Sequence, residues 1–171
     1  MQIILQTPRL YLRQFSTADA ALLYQLNSQA DVLKYLHERP LKDETDAAEI
    51  IRSIILPQYE KKLGRWGMFI KETNEFIGWC GLKYRPELNE TDLGYRLMPP
   101  AWGKGFATEA AHHCLQYGFE KLQLTQITGR AHIENLASIK VLEKIGMKFL
   151  KEEVVDDCPV KTYIASQEHA W

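Results

Sequence analysis

The sequence predicts an α/β fold built on a mixed sheet. Three observations carry that prediction. Between residues 16 and 63 the apolar residues recur at helical spacing, and from Arg65 the period changes to two. Two further stretches of helical period then interrupt the strands. The resulting order is strand, helices, three strands, helix, strand, helix, two strands, the alternation expected of helices laid on a sheet. The chain has 171 residues, 46% hydrophobic and 25% charged, which fits one domain, residues 1–171, with a real core.

Each element has a local reason. "RLYLRQF" alternates apolar and polar residues, so Arg9–Phe15 reads as a strand. "STAD" follows, with Ser16 as N-cap and Asp19 three residues on, an Asp variant of the capping box opening a helix through "ALLYQLN". A short helix is expected over Asp31–Leu36. A longer one runs through "DETDAAEIIRSIILPQYEKKL", where Pro57 kinks or divides it. "RWGMFIKE", "EFIGWCGLKY" and "TDLGYRLM" read as an antiparallel meander, its first turn at Thr73-Asn74. The next helix places Ala107, Ala110, Ala111, Cys114, Gly118, Phe119 and Leu122 on one face, with His112 and His113 largely on the other. "QITGRAHI" is a strand and "NLASIKVLEKIG" a helix closed by Gly146. "MKFLKEEVV" and "VKTYIASQ" form a terminal hairpin around "DDCP".

Composition excludes several classes. A net charge of −1 argues against nucleic-acid binding driven by bulk charge. Cys80, Cys114 and Cys158 are far apart, without zinc spacing, and read as reduced, mostly buried thiols. No metal site is expected. The opening "MQIILQTPRLYLRQ" lacks a basic segment followed by a long apolar one, and no apolar run approaches the roughly 20 residues of a membrane span. The expectation is a soluble cytoplasmic protein with no membrane partner.

The stretch "PPAWGKGFATEA" carries the strongest chemical signal. Pro99 and Pro100 have no N–H for a sheet, so the strand ending near Met98 stops there. Gly103 and Gly105 can take positive φ and let a ligand approach the main chain. A helix begins near Gly105, with free N–H groups and a positive dipole end, and Lys104 adds charge. Together these suit a phosphate or pyrophosphate; a glycine-rich turn with an exposed lysine is the plainer reading. A Walker A loop is ruled out, because Met98 stands at its first glycine and Gly105 at its Ser/Thr. A dinucleotide fingerprint would put Thr108 at its third glycine and lacks the βαβ setting.

With the loop placed between a meander strand and a helix, the sequence resembles the GNAT superfamily of N-acetyltransferases, in its ribosomal-protein-alanine acetyltransferase-like (RimJ/RimL-like) branch. The coenzyme motif [QR]-x-x-G-x-[GA] is matched from Trp102 to Ala107, with Trp102 replacing Gln/Arg as that branch's "WGKGxATEA" does. "TPRLYLR" and "NLASIKVLEKIG" match two further motifs, so the resemblance spans Thr7 to Gly146. It implies a mostly antiparallel sheet in which the "TDLGYRLM" and "QITGRAHI" strands splay apart around acetyl-coenzyme A. Pantetheine would pair with main-chain groups near Leu97 and Met98, and a main-chain N–H near Met98 would polarise the acetyl carbonyl. The pyrophosphate would lie on the amides of Gly103, Lys104, Gly105 and Ala107, within a binding segment running from Trp102 through Phe106 to Thr108.

The resemblance also assigns chemistry. Asn135 would contact pantetheine and Ser138 would lie near the sulfur as acid for the leaving thiolate, although the spacing alone makes Asn135 an N-cap. The tyrosine that many relatives carry one turn later falls at Leu142, which cannot serve. Lys140 would reach a coenzyme phosphate or simply face water. A carboxylate early on the splayed strand would be the base: Asp92, with Glu90 as backup. The implied reaction is direct acetyl transfer to a primary amine, on a protein N-terminus or a small molecule. A non-catalytic coenzyme A sensor is the rival from another class. For the acceptor side, Trp66, Trp79, Tyr35, His37 and Tyr84 are candidate pocket residues. A homodimer is compatible with the sequence, but no motif specifies one.

Overall fold

The computed structural model describes residues 2–167. One eight-stranded sheet runs through it in the order β1-β2-β3-β4-β5-β6-β8-β7. Its strands are β1 (Ile3–Gln6), β2 (Leu10–Gln14), β3 (Gly64–Ile70), β4 (Phe76–Arg85), β5 (Glu90–Leu97), β6 (Gln126–His132), β7 (Lys148–Val155) and β8 (Cys158–Ser166). The helices are α1 (Ala20–Asn27), α2 (Ala30–Leu33), α3 (Glu44–Ile50), α4 (Leu56–Tyr59), α5 (Phe106–Glu120) and α6 (Leu136–Lys144). Every neighbouring pair is antiparallel except β5 and β6, so the sheet is mixed, as the order of elements predicts.

Two apolar cores sandwich the sheet. On the back face Leu10, Leu12, Trp66, Met68, Cys80, Leu82 and Leu93 pack against Ala110, Ala111, Cys114 and Phe119 of α5 and against Ile139 and Leu142 of α6. On the front face Phe15 and Trp79 pack against Leu23, Leu26, Ala47, Ile51 and Ile55. The front apolar core lies over the β2–β4 side, and the front of β5, β6 and β8 carries polar side chains such as Asp92, Arg96, Thr128 and Thr162.

Several local expectations hold. The Ser16 N–H donates to the Asp19 carboxylate at 2.8 Å, and α1 follows. Asn74, at the first meander turn, has φ 59°. At the end of α6, Gly146 has φ 88°; its N–H donates to the Glu143 carbonyl, and that of Met147 to the Leu142 carbonyl, a Schellman closure. Pro57 divides its helix: a π-helical turn over Ile51–Ile55 precedes it. The widened turn accommodates the missing N–H and the ring's demand on the carbonyl four residues back.

Other details differ. β1 is an additional strand, four residues long and too short to show a period. The second helix covers Ala30–Leu33 rather than Asp31–Leu36. α5 ends at Glu120, which leaves Leu122 beyond it, and Phe106 and Leu115 join its buried face. "DDCP" is not a four-residue loop. Asp156 and Asp157 alone turn the hairpin, both with positive φ as a type I′ turn requires, and Cys158 and Pro159 belong to β8. Cys80 and Cys114 are buried free thiols with their Sγ atoms 3.5 Å apart. Among the described residues no helix is long and apolar enough to cross a membrane, and no cluster of His, Cys, Asp or Glu is placed to hold a metal.

Candidate active site

β5 and β6 pair only at Asp92–Thr128 and Leu93–Gly129. Beyond that point they diverge, and the rest of β5 faces a gap. Strand alternation fixes which main-chain groups line it. The Met98 N–H donates to the Ile77 carbonyl at 2.8 Å and so points towards β4. The Leu97 and Tyr95 N–H groups therefore point into the gap. The Met98 carbonyl is also taken, by the Ala101 N–H at 2.9 Å. The expected main-chain N–H near Met98 is therefore that of Leu97, since both main-chain groups of Met98 itself are used. The Leu97 carbonyl accepts from the Trp102 indole at 2.9 Å. Trp102, at the motif's Gln/Arg position, thereby fastens the loop to the strand.

The loop has the predicted geometry. Pro99–Ala101 form one 3-10 turn, and Gly103 and Gly105 have φ of 73° and 81°. Gly105 is the N-cap of α5. Among the described residues, the consecutive amides from Gly103 to Thr108 donate to no backbone or side-chain acceptor, and the Lys104 ammonium has no partner. Bare N–H groups with a helix dipole behind them favour an anion. Phe106 is buried, so only its main chain is available there.

A strut behind the loop escaped sequence reasoning. Arg9 donates from its main-chain N–H and from Nε to the Glu109 carboxylate, at 2.9 and 2.8 Å. Its Nη1 donates to the Lys104 carbonyl at 2.9 Å, and its guanidinium lies over the Phe106 ring at 4.2 Å. Thr7 also donates to Glu109. Burial pushes the Glu109 pKa up, but these bonds outweigh it and hold the carboxyl below its ordinary value. "TPRL" thus braces the first turn of α5 and the loop that precedes it.

Across the gap stands the first turn of α6. The Asn135 side chain accepts from the Ser138 N–H at 3.2 Å, so its N-cap role is real. The Ser138 Oγ lies 2.8 Å from the Tyr95 hydroxyl, which is also 3.0 Å from the Ser138 carbonyl. Burial pushes the Tyr95 phenol well above its ordinary pKa, against the bond from Ser138, so it stays protonated. Tyr95 places a phenol beside Ser138 although Leu142, fully buried, fills the position one turn later. Its place on the core-facing side of β5, between Leu93 and Leu97, was the one signal for it. Lys140 is exposed and makes no bond to the loop.

Asp92 and Glu90 do not join this site. Asp92 lies six residues before Met98, about 20 Å along an extended strand. Its two oxygens accept from Arg85 Nε at 2.7 Å, Thr128 Oγ1 at 2.8 Å and Arg130 Nη1 at 3.0 Å. Glu90 is bound to Arg130. A general base needs a free lone pair within reach of the proton it removes. The structure therefore corrects the expectation that Asp92, or Glu90 behind it, is the base. His132, at the open end of β6, is no substitute. Its Nδ1 accepts from the Glu134 N–H at 3.1 Å, which leaves the neutral ring's proton on Nε2. Of the candidate pocket aromatics, Trp66 is back-face core against Tyr117. Tyr35 lies 5.4 Å from the His132 ring, across the front of the gap. Trp79 is on the front face beside Arg65 and Arg96, Tyr84 bonds Asn89, and His37 lies in the loop after α2.

Comparison with known proteins agrees with this geometry. The Acetyltransferase (GNAT) domain matches residues 9–148. The chain belongs to the GNAT acetyltransferase family. It is 37% identical over 154 residues to the uncharacterized N-acetyltransferase p20 of Bacillus licheniformis, covering 90% of this chain and 85% of that protein. The crystal structure of spermidine N-acetyltransferase from Vibrio cholerae with CoA and spermine superimposes with a TM-score of 0.80 at 20% identity, over 95% of this chain and 98% of that one. RimL, a ribosomal L7/L12 α-N-protein acetyltransferase solved with coenzyme A, gives 0.83 at 16%, over 96% and 98%. These two share the GNAT fold while acting on different acceptors.

Proposed function

We propose that this GNAT enzyme acts as one cytoplasmic domain that transfers acetyl from acetyl-coenzyme A to an α-amine, such as a protein N-terminus. The observation that carries the reading is the run of uncommitted amides from Gly103 to Thr108 at the mouth of a splayed strand pair. That run fits a diphosphate, and the gap above it fits an extended pantetheine arm. Bound acetyl-coenzyme A would supply an activated thioester. The Leu97 N–H points to where the acetyl oxygen would develop charge. The Tyr95 hydroxyl donates to the Ser138 carbonyl, and the Ser138 hydroxyl beside it can donate to the Tyr95 oxygen or turn to the departing thiolate. Asp92, Glu90 and Glu38 are all held by arginines, so none of them is assigned as base. The acceptor must then bring its own neutral fraction. An α-amine, with a pKa of about 7.7–8.0, is roughly a tenth neutral at pH 7; a lysine amine near 10.4 is almost wholly charged.

The test joins binding to turnover. Gly105→Val puts a β-branched residue at φ 81°, a conformation such residues resist. Coenzyme A affinity, by calorimetry on the folded variant, is expected to fall at least tenfold, in step with thiol release from acetyl-coenzyme A and an amine panel. Unchanged affinity removes the cradle. A wild type that binds coenzyme A yet releases no thiol with any amine points to a sensor instead.

A further inference from the structure

On the front face, beside the mouth of the gap, three cations share one neighbourhood. Arg65 of β3 is aligned with Gly81 of β4, and Gly81 with Gly94 of β5. Lys83 and Arg96 flank that glycine row along the same face. Trp79 forms the surface between the two arginines, with its ring 4.9 Å from the Arg65 guanidinium and 5.4 Å from that of Arg96. Arg96 is satisfied: it donates to Asn27 at 2.8 Å and to both oxygens of Glu38 at 3.1 Å. Arg65 and Lys83 are not. Among the described residues neither side chain makes a hydrogen bond or an ion pair, though both are half-buried. Burial and the neighbouring arginines push both pKa values down, Arg65 to about 10, which leaves the Arg65 guanidinium charged at neutral pH. The carboxylates that act on them from a distance are Glu38 on Arg65, and Asp156 and Glu87 on Lys83; Asp92, opposite Lys83 on β5, is taken by Arg85, Thr128 and Arg130. None is within 4.0 Å of either cation. The Trp79 indole N–H, buried at the same place, has no acceptor among the described residues.

Two partly desolvated cations held side by side without a counter-ion oppose folding. Such an arrangement suits a ligand that brings the missing negative charge. The Trp79 ring covers Gly94, 3.2 Å from where a side chain would begin, so the ligand would meet the cations over that ring and not on the glycine backbone. We propose that Arg65 and Lys83 form the acceptor-specificity site of this enzyme and select an amine that carries a carboxylate. From Leu97 to the glycine row is three residues, about 10 Å of strand. That span exceeds the separation of amine and carboxylate within one α-amino acid. It fits a carboxylate one or two residues behind an N-terminal amine, so an acidic peptide is the favoured source and a free amino acid the lesser one. The same charges repel polyamines. The inference rests on the acetyl-transfer reading for its acceptor, but its anion site stands on geometry alone.

The experiment has two arms. In the first, glutarate is titrated into the coenzyme A-saturated enzyme and the Arg65 Nε–H resonance is followed by NMR. Wild type is expected to show a saturable shift that Lys83→Gln weakens at least fivefold; no shift overturns the proposal whether or not the enzyme turns over. In the second, initial rates are compared for Ser-Asp- and Ser-Asn-initiated peptides, free aspartate and spermidine. Wild type should favour the Asp peptide over the Asn peptide about tenfold in kcat/KM, through KM, with free aspartate and spermidine poorer. Arg65→Gln and Lys83→Gln should bring that ratio near one while coenzyme A affinity is unchanged, and Lys83→Glu should turn preference towards a Ser-Lys peptide. Equal wild-type rates on the Asp and Asn peptides, or variants that slow both alike, overturn the proposal. An anion-induced shift without transfer to any amine overturns the acetyl-transfer reading and leaves the anion site.

Discussion

The two ends of the front face treat charge in opposite ways. At the closed end, where β5 and β6 still pair, Arg85 and Arg130 are met by Asp92, Glu90, Glu153, Glu87 and Asp156. Thr128 and Thr162, both buried, complete that network. Towards the open end, Arg65 and Arg96 face Glu38, which is bonded to Arg96, while Lys83, opposite Asp92, feels Asp156 and Glu87 only from a distance. The same residue types thus do different work a few residues apart. Paired charges seam five strands, β4 to β8, together where no apolar core covers them. Unsaturated charges, beside the gap, oppose folding unless something binds. A carboxylate near a gap is therefore no more informative than the guanidiniums already holding it.

The largest effect should come from breaking the closed end. Arg130 is nearly buried and binds Asp92, Glu90 and Glu153. Arg130→Met would leave those carboxylates without it, and removing one partner of a buried pair costs about 3–5 kcal/mol. Urea denaturation should show that loss. Arg65→Met strips a partly desolvated, unpaired charge instead, so its stability should stay within about 1 kcal/mol of wild type or rise, because no partner is left uncompensated. Equal losses in the two variants would erase the distinction between the ends.

That distinction was not legible in the sequence, although the fold was. Period and turn chemistry located β2 through β8 and α5 and α6, because each carries its signal within a few residues. The loop was legible for the same reason: two glycines, two prolines and a lysine are local facts. Asp92 was misread because its partners lie on β4 and β6, and no local pattern says which way those arginines point. The Arg9–Glu109 strut joins residues a hundred positions apart. "TPRL" could be matched to a family motif, but its purpose needs the fold. Tyr95 was not singled out, because its body packs against the core; only its hydroxyl meets Ser138 across the gap.

A middle-sized effect tests Asp92 directly. Asp92→Asn keeps one acceptor oxygen but turns an amide donor towards guanidinium donors. Leaving a buried group badly paired costs about 1–3 kcal/mol. The midpoint of denaturation should fall accordingly, while the pH–rate profile, corrected for folded enzyme, stays parallel to wild type. Slow turnover at pH 7 that recovers at pH 9 would mark Asp92 as the base after all and place the closed end inside the chemistry.

The smallest effect is on acid stability, and it separates the ends by their exposure. The Thr162 hydroxyl, with Arg130 behind it, holds the Glu153 pKa below its ordinary value against burial. Burial raises the Glu38 pKa, but Arg96 more than offsets this and holds it low too. A carboxyl whose folded pKa is depressed contributes stability above its unfolded pKa, about 4.3, and loses it as pH falls through the folded value. Both groups act in this direction. Glu153 bonds a fully buried hydroxyl and a nearly buried guanidinium, whereas the Glu38 side chain is 46% exposed and screened. Glu153→Gln should therefore be the less stable variant at pH 7, by about 1 kcal/mol at most, and its melting temperature should converge on wild type by pH 3. Glu38→Gln should track wild type across that range, yet lower KM for an acidic peptide about twofold by removing the carboxylate that acts on Arg65 and binds Arg96. Should Glu38→Gln instead show the steeper acid dependence, the open end would be a structural ion-pair cluster like the closed one, and the contrast between them would fail.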